Sequence, residues 1–439
     1  MRIRMTNIPA WATALLTLVV TFGVHAGELP RATPEEVGLS SERLARMDGH
    51  IQAYVDAHRL PGAVVLIARH GKIAHLSAMG KASVEESTPM QADALFRIYS
   101  MTKPITSAAL LMLFEEGGFA LSDPLEVYIP EFKDVKVFDS FDPTGKMVLV
   151  DPVRKPNIQD IFRHTAGLSY GFTGTPVDAA YGAAGIADRE GRLGYPALPL
   201  AKWVPLLAKA PLQYQPGTRW QYSYAHDVQA FLAERFSGKP FAEFLRQRLF
   251  EPLGMNDTSF GLAQDKRGRL TTMYGPKGYA GELVTFAPIA PGIVPIDKPE
   301  SSEYLAQGAN PAGGIGLVST AEDYYRFAQM LLNGGEFNGR RVLSRKTVEL
   351  MRSNHLPAGM STGLAPGGGY GLGVSVLVDV AASGNLGSPG QFGWGGAANT
   401  SAIIDPVEDM VSILMAQYRP TSVPLWREFQ TLAYQSIAD

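Results

Sequence analysis

Strand-forming runs stand near both ends of this chain, and a Gly- and Pro-punctuated stretch of short helical patterns separates them. Strands satisfy their backbone groups only by pairing, and the two ends are expected to meet in one sheet while the middle packs beside it. On the N-terminal side, residues 62–68 form a β-branched run. The turn His70-Gly71-Lys72 and a second apolar run over 73–78 complete a hairpin pattern. On the C-terminal side, residues 370–378, 390–394, 400–404 and 410–417 read as further short strands.

Three helices accompany these strands. Leu44, Met47, Ile51 and Tyr54 recur at helical spacing within 40–58, with Ser40 or Ser41 as N-cap. A long apolar helix is expected over 100–116, stopping at Gly117-Gly118, and a closing helix over 425–437. Between the flanks, the patterns over 158–164, 200–209 and 241–249 are helical and short. The expected fold is α/β (α+β): an antiparallel sheet flanked by helices, formed by 27–121 and 299–439, with a mainly helical insert over 122–298 and a cleft between the two.

Residues 1–26 read as a cleaved secretory signal peptide. Arg2 and Arg4 precede an apolar run over 10–24, and Val24-His25-Ala26 offers a small-x-small cleavage site. That run is shorter than the ~20 residues a membrane span needs, so no stable span is expected in the mature protein. Localisation outside the cell or in a bacterial periplasm follows. Removing the leader takes the net charge from -3 to -5, which argues against nucleic acid as a partner. The chain has no cysteine, so thiol catalysis and disulfides are excluded. None of the eight histidines stands in a His-Glu-x-x-His arrangement, and neither a metal nor another cofactor is expected.

Ser100 and Lys103 lie three residues apart at the head of the long apolar helix, which puts hydroxyl and amine on one face within hydrogen-bonding reach. A serine needs a base, and a lysine serves as one only when burial or a neighbouring cation depresses its pKa. The helix start supplies the burial, and its free N–H groups favour an oxyanion. Ser-x-x-Lys alone arises about once by chance in a chain of this length, so the surrounding residues carry the weight.

Arg97-Ile98-Tyr99-Ser100-Met101-Thr102-Lys103-Pro104-Ile105-Thr106 resembles the active-site segment of the serine β-lactamase and penicillin-binding-protein superfamily, in its class C and family VIII carboxylesterase branch. The likeness continues through Phe162-Arg163-His164-Thr165-Ala166-Gly167-Leu168, Pro216-Gly217-Thr218-Arg219-Trp220-Gln221-Tyr222-Ser223, Leu249-Phe250-Glu251-Pro252-Leu253-Gly254-Met255 and Ala312-Gly313-Gly314-Ile315-Gly316. It implies a β-lactamase/transpeptidase-like fold with Ser100, Lys103 and Tyr222 as the catalytic set. A phenol beside an ammonium is expected to be drawn down in pKa, and either Lys103 or Tyr222 then serves as base.

Two departures bear on substrate. The second motif reads Tyr222-Ser223-Tyr224 where the family has Tyr-x-Asn, and no Lys-Thr-Gly occurs; Gly393-Trp394-Gly395-Gly396-Ala397 stands in its place. The Ala397 N–H would pair with that of Ser100 as oxyanion donor, and Trp394, Gly395, Gly396 and Tyr224 would line the substrate site. Without the motif lysine and asparagine the site loses its readers of a carboxylate and an acyl amide, so a small neutral ester is the expected substrate. The alternatives are a β-lactamase or D-amino-acid peptidase of the same fold, and an idle cell-wall-binding relative. Gly167-Leu168-Ser169-Tyr170-Gly171 also fits the Gly-x-Ser-x-Gly elbow. The helical pattern before it, with Gly167 as C-cap, argues against Ser169 as nucleophile.

Overall fold

The computed structural model describes residues 28–171, 173–187, 198–279, 287, 289–305 and 311–439; the expected leader lies outside them. Eight strands build the main sheet: β1 (Gly62–Arg69), β2 (Lys72–Ser83), β3 (Thr88–Pro89), β4 (Gly368–Tyr370), β5 (Ser375–Leu377), β6 (Phe392–Gly396), β7 (Thr400–Asp405) and β8 (Met410–Ala416). Their order is β4-β5-β6-β7-β8-β1-β2-β3, antiparallel throughout. The two ends of the chain join where β1 pairs with β8, Ala63 opposite Ala416 and Arg69 opposite Met410.

Helices used below are α1 (Ser41–Asp56), α2 (Thr102–Glu115), α3 (Ile158–Phe162), α4 (Ala225–Ser237), α5 (Ala321–Leu332) and α6 (Val423–Tyr434). The central strands β1 and β8 are buried at every position because both faces are covered. Val64, Leu66, Val411 and Ile413 join the core that holds α2 and α5. Ala63, Val65, Ile67 and Leu414 face α1 and α6. Truncating Ile413 to Ala would remove about 2–5 kcal/mol of that packing. His70 and Gly71, at φ 54° and 72°, close the β1–β2 hairpin with the left-handed pair a two-residue turn requires.

Ser40 caps α1 by accepting from the Arg43 N–H, and Ser422 caps α6 by accepting from Leu425. Every residue of α2 from Thr102 to Leu113 is buried, as its all-round apolar sequence requires. The helix ends where expected: Gly117, at φ 78°, donates to Phe114 and Gly118 donates to Leu113.

Three local expectations are corrected. The run over 370–378 is a tight hairpin rather than one strand, turning through Gly373 at φ 86°. A Cβ there would fall 2.0 Å from Ser107 Oγ. The helix expected from Ser100 starts at Thr102, after a 3-10 turn over Tyr99–Met101 in which Tyr99 has φ 41°. The region over 122–298 carries two hairpins besides its helices, Val137–Phe141 with Met147–Val150 and Met273–Pro276 with Ile293–Asp297.

Candidate active site

The 3-10 turn lifts Ser100 to the inner end of a cavity of about 460 Å³, whose lining runs from Ser100, Tyr222 and Trp394 out to Trp426 and Arg427 on α6. Beneath the turn, Arg97 is wholly buried and fixes the entering strand. It forms an ion pair with Asp297 at 2.8 Å and donates to the Thr271 carbonyl at 2.6 Å.

Lys103, one turn along, is fully buried in α2, and its Nζ lies 3.1 Å from Ser100 Oγ and donates to the Gly314 carbonyl at 2.8 Å. Burial pulls its pKa down to about 7, with the nearby Asp227 opposing part of that shift. Tyr222 stands on the loop before α4, its hydroxyl 2.7 Å from Ser100 Oγ. The Lys103 ammonium nitrogen lies 4.5 Å from the centre of its ring. Burial pushes the Tyr222 phenol above the ordinary range, more than its contacts with Ser100 and Trp394 lower it. The expected drawing-down of this phenol is therefore reversed: the lysine is the group whose proton is loosened. Its ammonium is too costly to bury to act as a strong cation toward the phenol.

Strand β6 brings the third segment alongside. A Cβ at Gly396 would lie 2.3 Å from the Ile98 carbonyl oxygen, and one at Gly395 would lie 2.7 Å from the Trp426 ring. Only glycines permit this approach. Ala397 follows the strand, lines the cavity with Ser100, and accepts a hydrogen bond from Thr421 Oγ1 at 3.1 Å. Trp394 donates from Nε1 to the Tyr222 hydroxyl at 3.3 Å.

Ser100, Lys103, Tyr222, Trp394, Gly395, Gly396 and Ala397 are thus brought together. Tyr224 is not among them. It is the N-cap residue of α4 and lies wholly in the core, with the rings of Tyr170 and Trp203 at 4.7 Å and 4.9 Å. Ser169 is equally enclosed; its hydroxyl donates to Asp178 at 2.9 Å and lies 3.1 Å from both Thr173 and Thr175. α3 ends at Phe162, and the left-handed residue after it is His164 at φ 58°, not Gly167. The positive φ of Gly167 serves a close approach instead, since a Cβ there would fall 2.3 Å from the Tyr214 carbonyl.

Sequence reasoning assigned no role to four neighbours. His164 lies behind Tyr222 with ring centres 4.8 Å apart, and His226 stands a further 4.8 Å from His164. Asp227 is wholly buried near Lys103. Arg427 is the one charged side chain among the described residues that line the cavity. His164 stood inside a quoted motif and Asp227 five residues beyond Tyr222, but nothing in the spacing marked either. Among the described residues no group of acidic, His or Cys side chains could hold a metal, and no helix is long and apolar enough to cross a membrane.

A serine clasped by lysine and tyrosine at the head of a buried helix, with a glycine-rich strand alongside, is the site of a serine hydrolase built on the β-lactamase/transpeptidase fold. The β-lactamase family profile matches residues 47–435, and the chain belongs to that family. Protein Rv1367c of Mycobacterium tuberculosis is 35% identical over 396 residues, covering 85% of this chain and 90% of its own. Esterase EstB of Burkholderia gladioli is 31% identical over 398 residues, covering 87% and 92%. The structure of EstCE1, a hydrolase with promiscuous acyltransferase activity, superposes with a TM-score of 0.75 at 27% identity, covering 89% and 98%.

Proposed function

We propose that this chain is a secreted carboxylesterase that cleaves short-chain esters through a Ser100 acyl-enzyme, with Lys103 and Tyr222 moving the proton. The observation that carries the reading is the double contact at Ser100 Oγ, 3.1 Å from Lys103 Nζ and 2.7 Å from the Tyr222 hydroxyl. A lysine with a pKa of about 7 is substantially neutral near pH 7 and can accept a proton.

Lys103 takes the Ser100 proton as Oγ attacks the ester carbonyl, and the N–H groups of Ser100 and Ala397 receive the oxyanion. Tyr222, protonated throughout this range, passes its proton to the departing alkoxide and recovers one from Lys103. Water then attacks the acyl-enzyme by the same route in reverse. The sum is ester plus water giving acid plus alcohol.

Support for an ester comes from the mainly apolar wall, whose one charged side chain among the described lining residues is Arg427 on α6. The sequence similarity to Esterase EstB points the same way. Secretion rests on the leader pattern of residues 1–26, and amino-terminal sequencing of protein recovered from the periplasm or medium should begin near Gly27.

The test of the activity is covalent labelling by a fluorophosphonate, location of the label by mass spectrometry, and comparison of p-nitrophenyl butyrate with nitrocefin. Label on Ser100 and faster butyrate cleavage are expected. Label on Ser169 removes the assignment, and faster nitrocefin turnover reverses the substrate.

A further inference from the structure

The glycine-rich segment Ala312-Gly313-Gly314 lies against the back of Lys103, held by side chains of α2 and α4. Thr106 Oγ1 donates to the Gly313 carbonyl at 2.7 Å, Lys103 Nζ donates to the Gly314 carbonyl at 2.8 Å, and the Gly314 N–H donates to Asp227 Oδ1 at 3.3 Å. A Cβ on Gly313 would fall 2.4 Å from the His226 carbonyl oxygen, so the strap sits directly on the first turn of α4. Asp227 and Lys103, both fully buried, therefore bind the N–H and the C=O of one residue, Gly314, on two successive peptide groups.

Gly314 thus stands between the two charged groups. The Gly314 N–H meets the carboxylate and the Gly314 C=O meets the amine, so the two charged groups face each other across one buried residue, where the low dielectric keeps their attraction strong. The other titratable groups around Lys103 are Tyr222, Tyr170, His164 and His226. Burial, reinforced by Lys103, keeps both imidazoles neutral, and burial keeps both phenols protonated. Asp227 is the one acid in the set.

We infer that Asp227 is a positioning residue that acts across Gly314 to stabilise the Lys103 ammonium formed when Ser100 gives up its proton, an inference that rests on the Ser100–Lys103 reading above. Burial alone would leave Lys103 too weak a base to hold that proton in the transition state; the carboxylate restores basicity without touching substrate.

Asp227→Asn keeps an oxygen for the Gly314 N–H and removes the charge. The readout is the rate of Ser100 phosphonylation by a fluorophosphonate from pH 5 to pH 10, on full mature protein whose fold is checked by near-ultraviolet circular dichroism. The expected result is an acid limb displaced to lower pH by about one unit, with a plateau about tenfold lower. If Asp227→Asn does not fold, Asp227→Ser is read by the same two criteria.

An acid limb that stays in place, whether the rate is unchanged or falls equally at every pH, overturns the inference and leaves Asp227 a structural group. Lys103→Ala separates the two levels. Labelling of that variant at the wild-type rate would defeat the Ser100–Lys103 reading itself. Loss of labelling there with an unmoved Asp227→Asn limb defeats only the role of Asp227.

Discussion

The indole N–H of Trp394 donates to the hydroxyl oxygen of Tyr222 at 3.3 Å, and the same oxygen lies 2.7 Å from Ser100 Oγ. A phenol has one proton and an acceptor oxygen. With the indole proton already directed at that oxygen, the phenolic proton is left to point at Ser100. The residue standing where the family's Lys-Thr-Gly motif would fall thus does more than line a wall: it orients the Tyr222 phenol.

Trp394→Phe should keep the ring and lose this direction. The expected effect is a fall in kcat of about tenfold, roughly the loss of one hydrogen bond of 1–1.5 kcal/mol. KM for p-nitrophenyl butyrate should change little. A rise in KM at constant kcat would show that Trp394 only contacts substrate.

Lys103→Ala and Tyr222→Phe should each lower kcat/KM by about 10²–10⁴-fold or more with the fold intact, because each removes a group that moves the proton. In the wild type the sign of the pH dependence follows from the base. Lys103 must be unprotonated, so kcat/KM should rise as pH passes through about 7. The fall from Tyr222 ionisation should come only at strongly alkaline pH, since burial raises that phenol. A pH–rate profile in several non-nucleophilic buffers measures both limbs.

Only part of the constellation is local; Tyr222, 122 residues from Ser100, and the Gly-Trp-Gly-Gly-Ala segment were legible through the resemblance of their motifs to a family. Ser100 and Lys103 share one helical turn, and the Gly-rich strand announces a close approach wherever it packs. What the sequence did not reveal depends on packing between distant segments. Tyr224 sits two residues from Tyr222 but faces the core because α4 begins at the next residue, a rotation no spacing shows. The lowering of Lys103 and raising of Tyr222 follow from how deeply α2 is enclosed, and a pattern of residue types carries no measure of depth. Asp227 meets Gly314 across 87 residues of sequence, and Arg427 reaches the cavity from α6; no local spacing suggests either. The split of residues 370–378 into a hairpin was hidden likewise, since the crowding at Gly373 comes from Ser107 on α2.

A depressed lysine also leaves a mark on stability. Lys103 has a folded pKa of about 7 against an ordinary 10.5, so between these values the unfolded chain binds a proton that the folded chain does not. The free energy of unfolding contributed by this group therefore rises with pH from about 7 to 10.5 and is flat below. Lys103→Met removes the term. Urea titrations at pH 6.5 and pH 9.5 should show the variant more stable than wild type at the lower pH, with the gap narrowing at the higher. A gap independent of pH would mean that Lys103 is not depressed in the folded state.

Ser169 offers the sharpest contrast with Ser100, because both stand in recognisable serine motifs. Its hydroxyl is spent on Asp178, Thr173 and Thr175, and the Gly171 N–H donates to it at 3.2 Å. Every contact is a loop tie and none is a base aimed at a cavity. Ser169→Ala should therefore cost stability, about 1–3 kcal/mol for the buried partners left unsatisfied, and lower the midpoint of thermal unfolding. Fluorophosphonate labelling of Ser100 and kcat/KM should stay within a few-fold of wild type at a temperature where the variant is folded. Ser100→Ala should give the opposite pair of results, unchanged unfolding and no label. If the two variants exchanged these phenotypes, the nucleophile would lie on the loop after α3 and not at the head of α2.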